Sequence, residues 1–330
     1  MKTFAAALFA AVASAKLLDA ETDFMAYISK YGKHYEDVEE FNLRFERFQA
    51  MEEEIRHLKL TQKSSKHGHN HLSDWTIAEK QSLLGLKNMS QPVKDNKKFG
   101  AKVGNQTLPT SVDWRTVTPA VVNPVKDQGQ CGSCWSFAST AVMESAHAIF
   151  HGVLYSLSEQ NLVSCSFLQG NLGCNGGWYY YAWNYAVKHP IETEADYPYT
   201  SGTTTKSGSC MYNSALGVVS SISQTDVLTD TTSIMTAIVQ QPQAVAIEAD
   251  TAYFQTYTSG ILTCATCCGS TIDHAVTAVG YGNDPTYGGY YIVRNSWSAS
   301  WGDQGYVNIG MADSPGICGI NQYVAFTTTN

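Results

Sequence analysis

The chain has 330 residues, with 21 Lys and Arg against 29 Asp and Glu, a formal charge of −8. Only 15% of residues are charged and 12% are aromatic, which argues against a disordered chain and against a nucleic-acid binder with its basic stripe. The length allows about two domains at roughly 150 residues each, and the nine cysteines leave one without a partner.

Met1-Lys2-Thr3 is a short basic start, Phe4 to Ala13 is apolar, and Ala13-Ser14-Ala15 has the small-x-small form of a signal-peptidase site. Residues 1–15 therefore read as a signal peptide. The run is shorter than the about 20 residues that span a bilayer, and no transmembrane segment is expected later. Entry into the secretory pathway permits disulfides. Asn88-Met89-Ser90 and Asn105-Gln106-Thr107 are acceptor sequons for glycosylation there.

From 16 to 107 there are 15 basic and 14 acidic residues and no cysteine; from 108 to 330 there are 5 basic and 15 acidic residues and all nine cysteines. Phe24, Tyr27, Ile28 and Tyr31, then Phe41, Phe45, Phe48, Ile55 and Leu58, recur at helical spacing. The polar stretch Ser90 to Thr107 reads as a linker. Beyond it a helix pattern follows Cys134 (Ala138, Ala141, Val142, Ser145, Ile149), and strand-like segments come later, Ile272 to Val279 and Tyr290 to Arg294. Helices first and strands later predict α+β construction.

The strongest signal is Gln128-Gly129-Gln130-Cys131-Gly132-Ser133-Cys134-Trp135. A helix starting near Ser133 puts Cys134 where unpaired N–H groups and the macrodipole favour an anion, and the thiolate is the nucleophilic form. A thioredoxin-like redox pair would need a βαβ pattern, which is missing. A zinc site shared with Cys264-Ala265-Thr266-Cys267 would need pairs about 20 residues apart rather than about 130.

A cysteine nucleophile needs a base and a group to orient it. His147 and His151 fall at the far end of the Cys134 helix, about 20 Å away, and His189 precedes a proline. His274, in Asp273-His274-Ala275-Val276, is the base candidate. Asn295, in Arg294-Asn295-Ser296-Trp297, can accept from one ring nitrogen and fix the tautomer, with Trp297 covering that bond. Gln128 can aim its side-chain N–H at a developing oxyanion, beside the Cys134 backbone N–H.

These motifs resemble those of a cathepsin L-like zymogen of the papain family, and the resemblance covers nearly the whole chain. Cys131-Gly132-Ser133-Cys134-Trp135 matches the family's nucleophile signature, and Leu108-Pro109-Thr110-Ser111-Val112-Asp113-Trp114-Arg115 resembles its mature N-terminus. Glu40, Arg44, Phe48 and Ile55 fall on the spacing of its ERFNIN helix, with Met51 and Lys59 at the two Asn positions. Gly68-His69-Asn70-His71-Leu72-Ser73-Asp74 resembles its GNFD motif, with Leu72 for Phe, and Ser298 stands where the family usually has Gly.

The resemblance implies a papain-like two-domain fold, with a helical left domain (about 108–217) and a β-barrel-like right domain (about 218–330). Cys134 and His274 would face each other across the cleft. An inhibitory propeptide, 16–107, would lie through that cleft in reverse. Gly176 and Gly177, in Gly173-Cys174-Asn175-Gly176-Gly177, would pair with an extended peptide. Trp178, Tyr179, Ala246, Ile272, Ala275 and Tyr323 would line the pocket for the residue preceding the scissile residue (P2), which would favour apolar side chains, Leu or Val over Arg or large aromatics. Disulfides Cys131–Cys174, Cys165–Cys210 and one from the Cys264/Cys267/Cys268 cluster to Cys318 are implied. Cys268 is favoured for the last, leaving Cys264 and Cys267 as a local bridge or two free thiols.

The expected function is cysteine endopeptidase activity on protein and peptide substrates, with the propeptide as intramolecular inhibitor and proteinaceous cysteine-protease inhibitors as further partners. No cofactor, metal or nucleic acid is expected. The expected state is a monomer, in a lysosome- or vacuole-like acidic compartment or secreted. A catalytically silent binding protein on the same fold is the rival reading, which loss of Cys134, His274 or Asn295 would have favoured. His67, His69 and His71 alternate beside the GNFD-like segment; they read either as a trigger whose protonation near pH 5–6 loosens the propeptide or as a solvated His-rich loop.

Overall fold

In the computed structural model, residues 19–87, 89–92, 98–100 and 107–330 are described. The signal-peptide segment and both sequon asparagines, Asn88 and Asn105, lie outside the described residues. Helix α1 (19–31) and helix α2 (Val38–Thr61) follow the helical spacing of their aromatics. Phe24, Tyr27 and Phe48 form a buried cluster with Phe41 and Phe45 packed against it. The Asp37 side chain caps α2 by accepting from the Glu40 N–H. Farther along the same stripe, Ile55 and Leu58 are also buried, and Leu58 joins the main core.

Asp74, in the GNFD-like segment, ties this region together. Its buried carboxylate accepts from Tyr27 Oη at 2.7 Å, Lys33 Nζ at 2.9 Å and Tyr35 Oη at 2.9 Å. Arg44 forks onto Glu79 at 2.5 and 2.8 Å and also holds Glu40. Glu79 in turn closes a capping box with Thr76 at the start of helix α3 (Ile77–Gln81).

The later chain supplies helix α4 (Cys134–His151), helix α5 (Glu159–Cys165) and helix α6 (Tyr179–Ala186). Helix α4 is buried along most of its length and packs on strands His274–Asp284 and Val324–Thr329. It ends at Gly152, whose left-handed φ of 78° and N–H to Ala148 O form the cap.

Among the described residues the main sheet has ten strands. Its path runs Ser65–His67, Tyr257–Leu262, Tyr306–Gly310, Gly288–Arg294, His274–Asp284, Gln243–Ile247, Val324–Thr329, Ser221–Val227, Lys98–Phe99. Val112–Asp113 pairs with His274–Asp284 off that path. Both end strands come from the first 107 residues. Ser65–His67 is antiparallel to Tyr257–Leu262, and Lys98–Phe99 is parallel to Ser221–Val227. The second pairing departs from the linker reading of 90–107: Phe99 stacks edge-on against Phe326 at 6.0 Å, and that apolar contact anchors an otherwise polar stretch. The strand expected from Ile272 begins at His274, because Asp273 turns its carbonyl to the Leu86 N–H instead.

Candidate active site

Cys134 is the first residue of α4, fully buried, and the free cysteine among the described residues. The other eight form Cys131–Cys174, Cys165–Cys210, Cys264–Cys267 and Cys268–Cys318. The first bridge, with the Gly132 N–H on Cys174 O at 3.0 Å, fixes the loop before the nucleophile candidate against Gly176 and Gly177.

His274 opens its strand opposite Ile247. The neighbouring strand Gly288–Arg294 runs antiparallel to it, so its end delivers Asn295 beside the ring. His274 Nε2 and Asn295 Oδ1 are 2.8 Å apart, and the Ser296 N–H donates to the same Oδ1 at 2.8 Å. That second donor orients the amide, so Nε2 carries the proton and Nδ1 is left for the cysteine. The Trp297 ring lies 4.8 Å from the His274 ring, is itself buried, and keeps water from this bond. Trp297 is followed by Ser298 at φ 66°, the left-handed conformation that glycine adopts freely and that costs a side chain about 1 kcal/mol.

Gln128 is fully buried, and each of its polar groups is held. Its N–H donates to Ser296 O at 2.9 Å, and Ser296 Oγ donates to Oε1 at 2.8 Å. Nε2 donates to Cys131 O and, at 2.9 Å, to Leu83 O. The acceptor Leu83 belongs to the segment before residue 107, which threads the cleft. Gly85 follows, so close to the nucleophile candidate that a Cβ there would strike the Gly132 carbonyl and stand 3.0 Å from Cys134 Sγ. Gly177 N–H donates to Gly85 O at 3.1 Å, Leu86 N–H to Asp273 O at 2.8 Å, and Trp178 Nε1 to Ser90 O at 2.8 Å.

This cover sets the charge state beneath it. Burial pushes the Cys134 thiol up to about 12, against small opposing contributions from the backbone N–H groups of Ala275 and Gly85. Burial likewise pulls His274 down to about 4, although its bond to Asn295 favours the protonated ring. Nδ1 has no hydrogen-bond partner, but the Leu83 carbonyl lies near enough to favour its protonation weakly. Both shifts favour the neutral forms, thiol and imidazole, in the covered pair.

Of the residues expected to line the P2 pocket, Ala246 and Ala275 are cross-strand partners and both buried. Tyr323 lies beside them, its carbonyl accepting from the Ala246 N–H, with its ring 5.1 Å from Trp178. Tyr179 is fully buried against Tyr180 and Trp183, and its hydroxyl holds Tyr323 O at 2.9 Å. It therefore lies in the core and holds the Tyr323 backbone. Ile272 is half-buried near Gly319. The set-aside histidines stay apart: His147 packs on His151 and Tyr155, and His189 on Tyr185.

The three alternating histidines do not act alike. His67 is buried where Ser65–His67 joins the later sheet, between Ser65 Oγ and Thr256 Oγ1, with its ring on Tyr253. His71 reaches Ser300 Oγ at 2.9 Å. His69 turns inward to Glu52 and stacks on Phe48, with no hydrogen bond to the later chain. Sequence reasoning passed over Ser296 and Gly85. A serine or glycine carries no chemical flag, and the one available signal for Ser296 was its place between Asn295 and Trp297.

Similarity to known proteins follows the same division. A family model described as papain family cysteine protease matches residues 108–328, and one described as cathepsin propeptide inhibitor domain (I29) matches residues 24–79. A germination-specific cysteine protease of Arabidopsis thaliana is 46% identical over 230 residues, 68% of this chain and 59% of that protein. A cathepsin L-like protein of Caenorhabditis elegans is 34% identical over 318 residues, 92% of each. The structure of digestive procathepsin L 3 from the Tenebrio molitor larval midgut superposes with a TM-score of 0.82 at 31% identity, covering 94% of this chain and 99% of that one.

Proposed function

This chain belongs to the papain family of cysteine proteases and carries that family's inhibitory propeptide, and from that premise we propose that Cys134 and His274 are the reacting pair of an endopeptidase held inactive by residues 16–107. The observation that carries the reading is the Leu83 carbonyl on Gln128 Nε2, with Gly85 against Cys134 Sγ: the propeptide offers a peptide carbonyl to the donor that serves a substrate. The mature enzyme would begin near Leu108.

With the propeptide gone, water and the helix N-terminus stabilise the Cys134 thiolate and the His274 imidazolium. The thiolate attacks the scissile carbonyl, whose oxygen becomes an oxyanion held by Gln128 Nε2 and the Cys134 N–H. As the C–N bond breaks, His274 gives its proton to the leaving amine, leaving a thioester on Cys134. Neutral His274 then takes a proton from water, the hydroxide attacks the thioester, and the carboxylic acid product leaves as the sulfur recovers its proton through the ring. Asn295 holds the ring in register throughout, and Trp297 keeps that contact dry.

Extended substrates would pair with Gly177 in place of Gly85, and place an apolar P2 side chain among Trp178, Ala246, Ala275 and Tyr323. Proteinaceous inhibitors would use the same cleft. A secretory route to an acidic compartment or the exterior fits the disulfides and the N-terminal segment. Acid-activated protein profiled on a peptide library, with Cys134→Ala as control, tests the reading. Cys134-dependent endopeptidase activity with Leu or Val leading at P2 is expected, and activity retained by Cys134→Ala would end it.

A further inference from the structure

Beneath the site, one residue joins both halves of the oxyanion-binding machinery without touching the reacting atoms. Tyr199 Oη donates to the Gln128 backbone carbonyl at 2.8 Å and lies 2.7 Å from Ser133 Oγ. A phenol has one proton to give. With it on Gln128 O, Ser133 Oγ must donate to Tyr199. Burial holds the phenol well above its ordinary range, so it stays a neutral donor at any working pH.

Ser133 precedes Cys134 at the start of α4, and it makes no side-chain cap of its own helix. Its shortest side-chain contact is to Tyr199 at 2.7 Å, with the Cys131 carbonyl a longer alternative acceptor at 3.4 Å. The Tyr199 ring is set edge-on against Phe137, one turn into the same helix, at 5.0 Å. Its backbone is pinned as well, the N–H donating to Glu194 Oε1 at 2.8 Å. The next turn, Ser201–Thr204, buttresses the same loop: Gly202 O accepts the Gln130 N–H at 2.9 Å, and a Cβ at Gly129 (φ 54°) would strike Gly202.

We propose that Tyr199 is a positioning residue for the oxyanion hole, setting the separation between the Gln128 amide and the first turn of the nucleophile helix. The two oxyanion donors come from different stretches of chain, a loop and a helix start. Both must converge on a point that the oxygen reaches only in the transition state, so a shift of a few tenths of an ångström costs rate rather than substrate binding. This inference rests on the proposed role of Gln128 and Cys134.

Tyr199→Phe, which keeps the ring on Phe137 and removes the hydroxyl, is the test on acid-activated enzyme. Kcat is expected to fall about tenfold, a fraction of the 100-fold or more for losing an oxyanion donor outright, with KM little changed. The affinity of a peptide aldehyde, whose hemithioacetal oxygen occupies the oxyanion position, should fall by the same factor. In a Gln128→Ala background the same substitution should cost little more. Unchanged kcat in Tyr199→Phe, or full additivity with Gln128→Ala, would overturn the proposal. Both results require Cys134-dependent activity in the parent enzyme, whose absence would instead refute the underlying reading.

Discussion

The Leu83 carbonyl accepts from Gln128 Nε2 at 2.9 Å, so the inhibitory segment satisfies the same buried amide that a reacting substrate would use. Ser296 Oγ, bound to the opposite end of that amide, keeps the NH₂ group turned toward the cleft. On the proposed mechanism, inhibition and catalysis compete for one donor. Gln128→Ala is expected to lower kcat by about 10²–10³ in the mature enzyme with a small change in KM. Ser296→Ala should cause a smaller loss, through freer rotation of the amide. Steady-state kinetics on a single peptide substrate would check both.

Gly85 passes Cys134 with no room for a side chain. Gly85→Ala meets the Gly132 backbone, which cannot swing aside, and overpacking of this kind costs about 1–3 kcal/mol. Added in trans to the mature enzyme, the variant propeptide should inhibit about 10–100-fold more weakly than the native one. Equal inhibition constants would show that the segment rides higher in the cleft.

Asp74 gathers three donors from α1 and the turn after it. Asp74→Ala leaves Tyr27 and Tyr35 without their acceptor and Lys33 with the His71 carbonyl alone, and losing one partner of a buried ion pair costs about 3–5 kcal/mol. In full-length chain carrying Cys134→Ala, urea unfolding followed by propeptide tyrosine signals should shift to lower denaturant. The transition of the peptidase part should stay in place.

Acid should loosen the propeptide through His67. Burial lowers this residue to about 4, below its ordinary value of about 6.5, so the released segment binds a proton more readily than the docked one. Docking is therefore at full strength above about pH 6.5 and weakens as pH falls toward 4. His71 is shifted the same way by burial, with Asp127 and Asp74 opposing and Lys33 adding to the shift. His67→Gln should move the pH midpoint of activation downward. His69→Gln should change it less, because His69 meets Glu52 within the propeptide. An unchanged midpoint in the His67→Gln, His71→Gln double variant would remove these histidines from the trigger.

The chemistry was more legible in the sequence than the inhibition. Cys134 stood out because a local motif and a helix start coincide in one window, and the aromatic stripe of α1 and α2 announced itself at helical spacing. His274 and Asn295 lie far along the chain, and strand pairing that no local pattern records brings them together. The docking of Leu83, Gly85 and Leu86 was silent for a related reason. It runs through backbone N–H and C=O groups, which every residue carries. Lys98–Phe99 was read as linker because a two-residue strand has no periodicity to detect.

On the proposed mechanism the propeptide silences Cys134 by burying it as a neutral thiol, and release creates a reactive ion pair. The rate of Cys134 alkylation by iodoacetamide, followed from pH 4 to 9 before and after propeptide removal, tests this most directly. Negligible reaction of the intact zymogen is expected near pH 6, and fast reaction of the processed enzyme in parallel with loss of peptidase activity. Equal rates in the two forms, or activity that survives complete alkylation of Cys134, would contradict it.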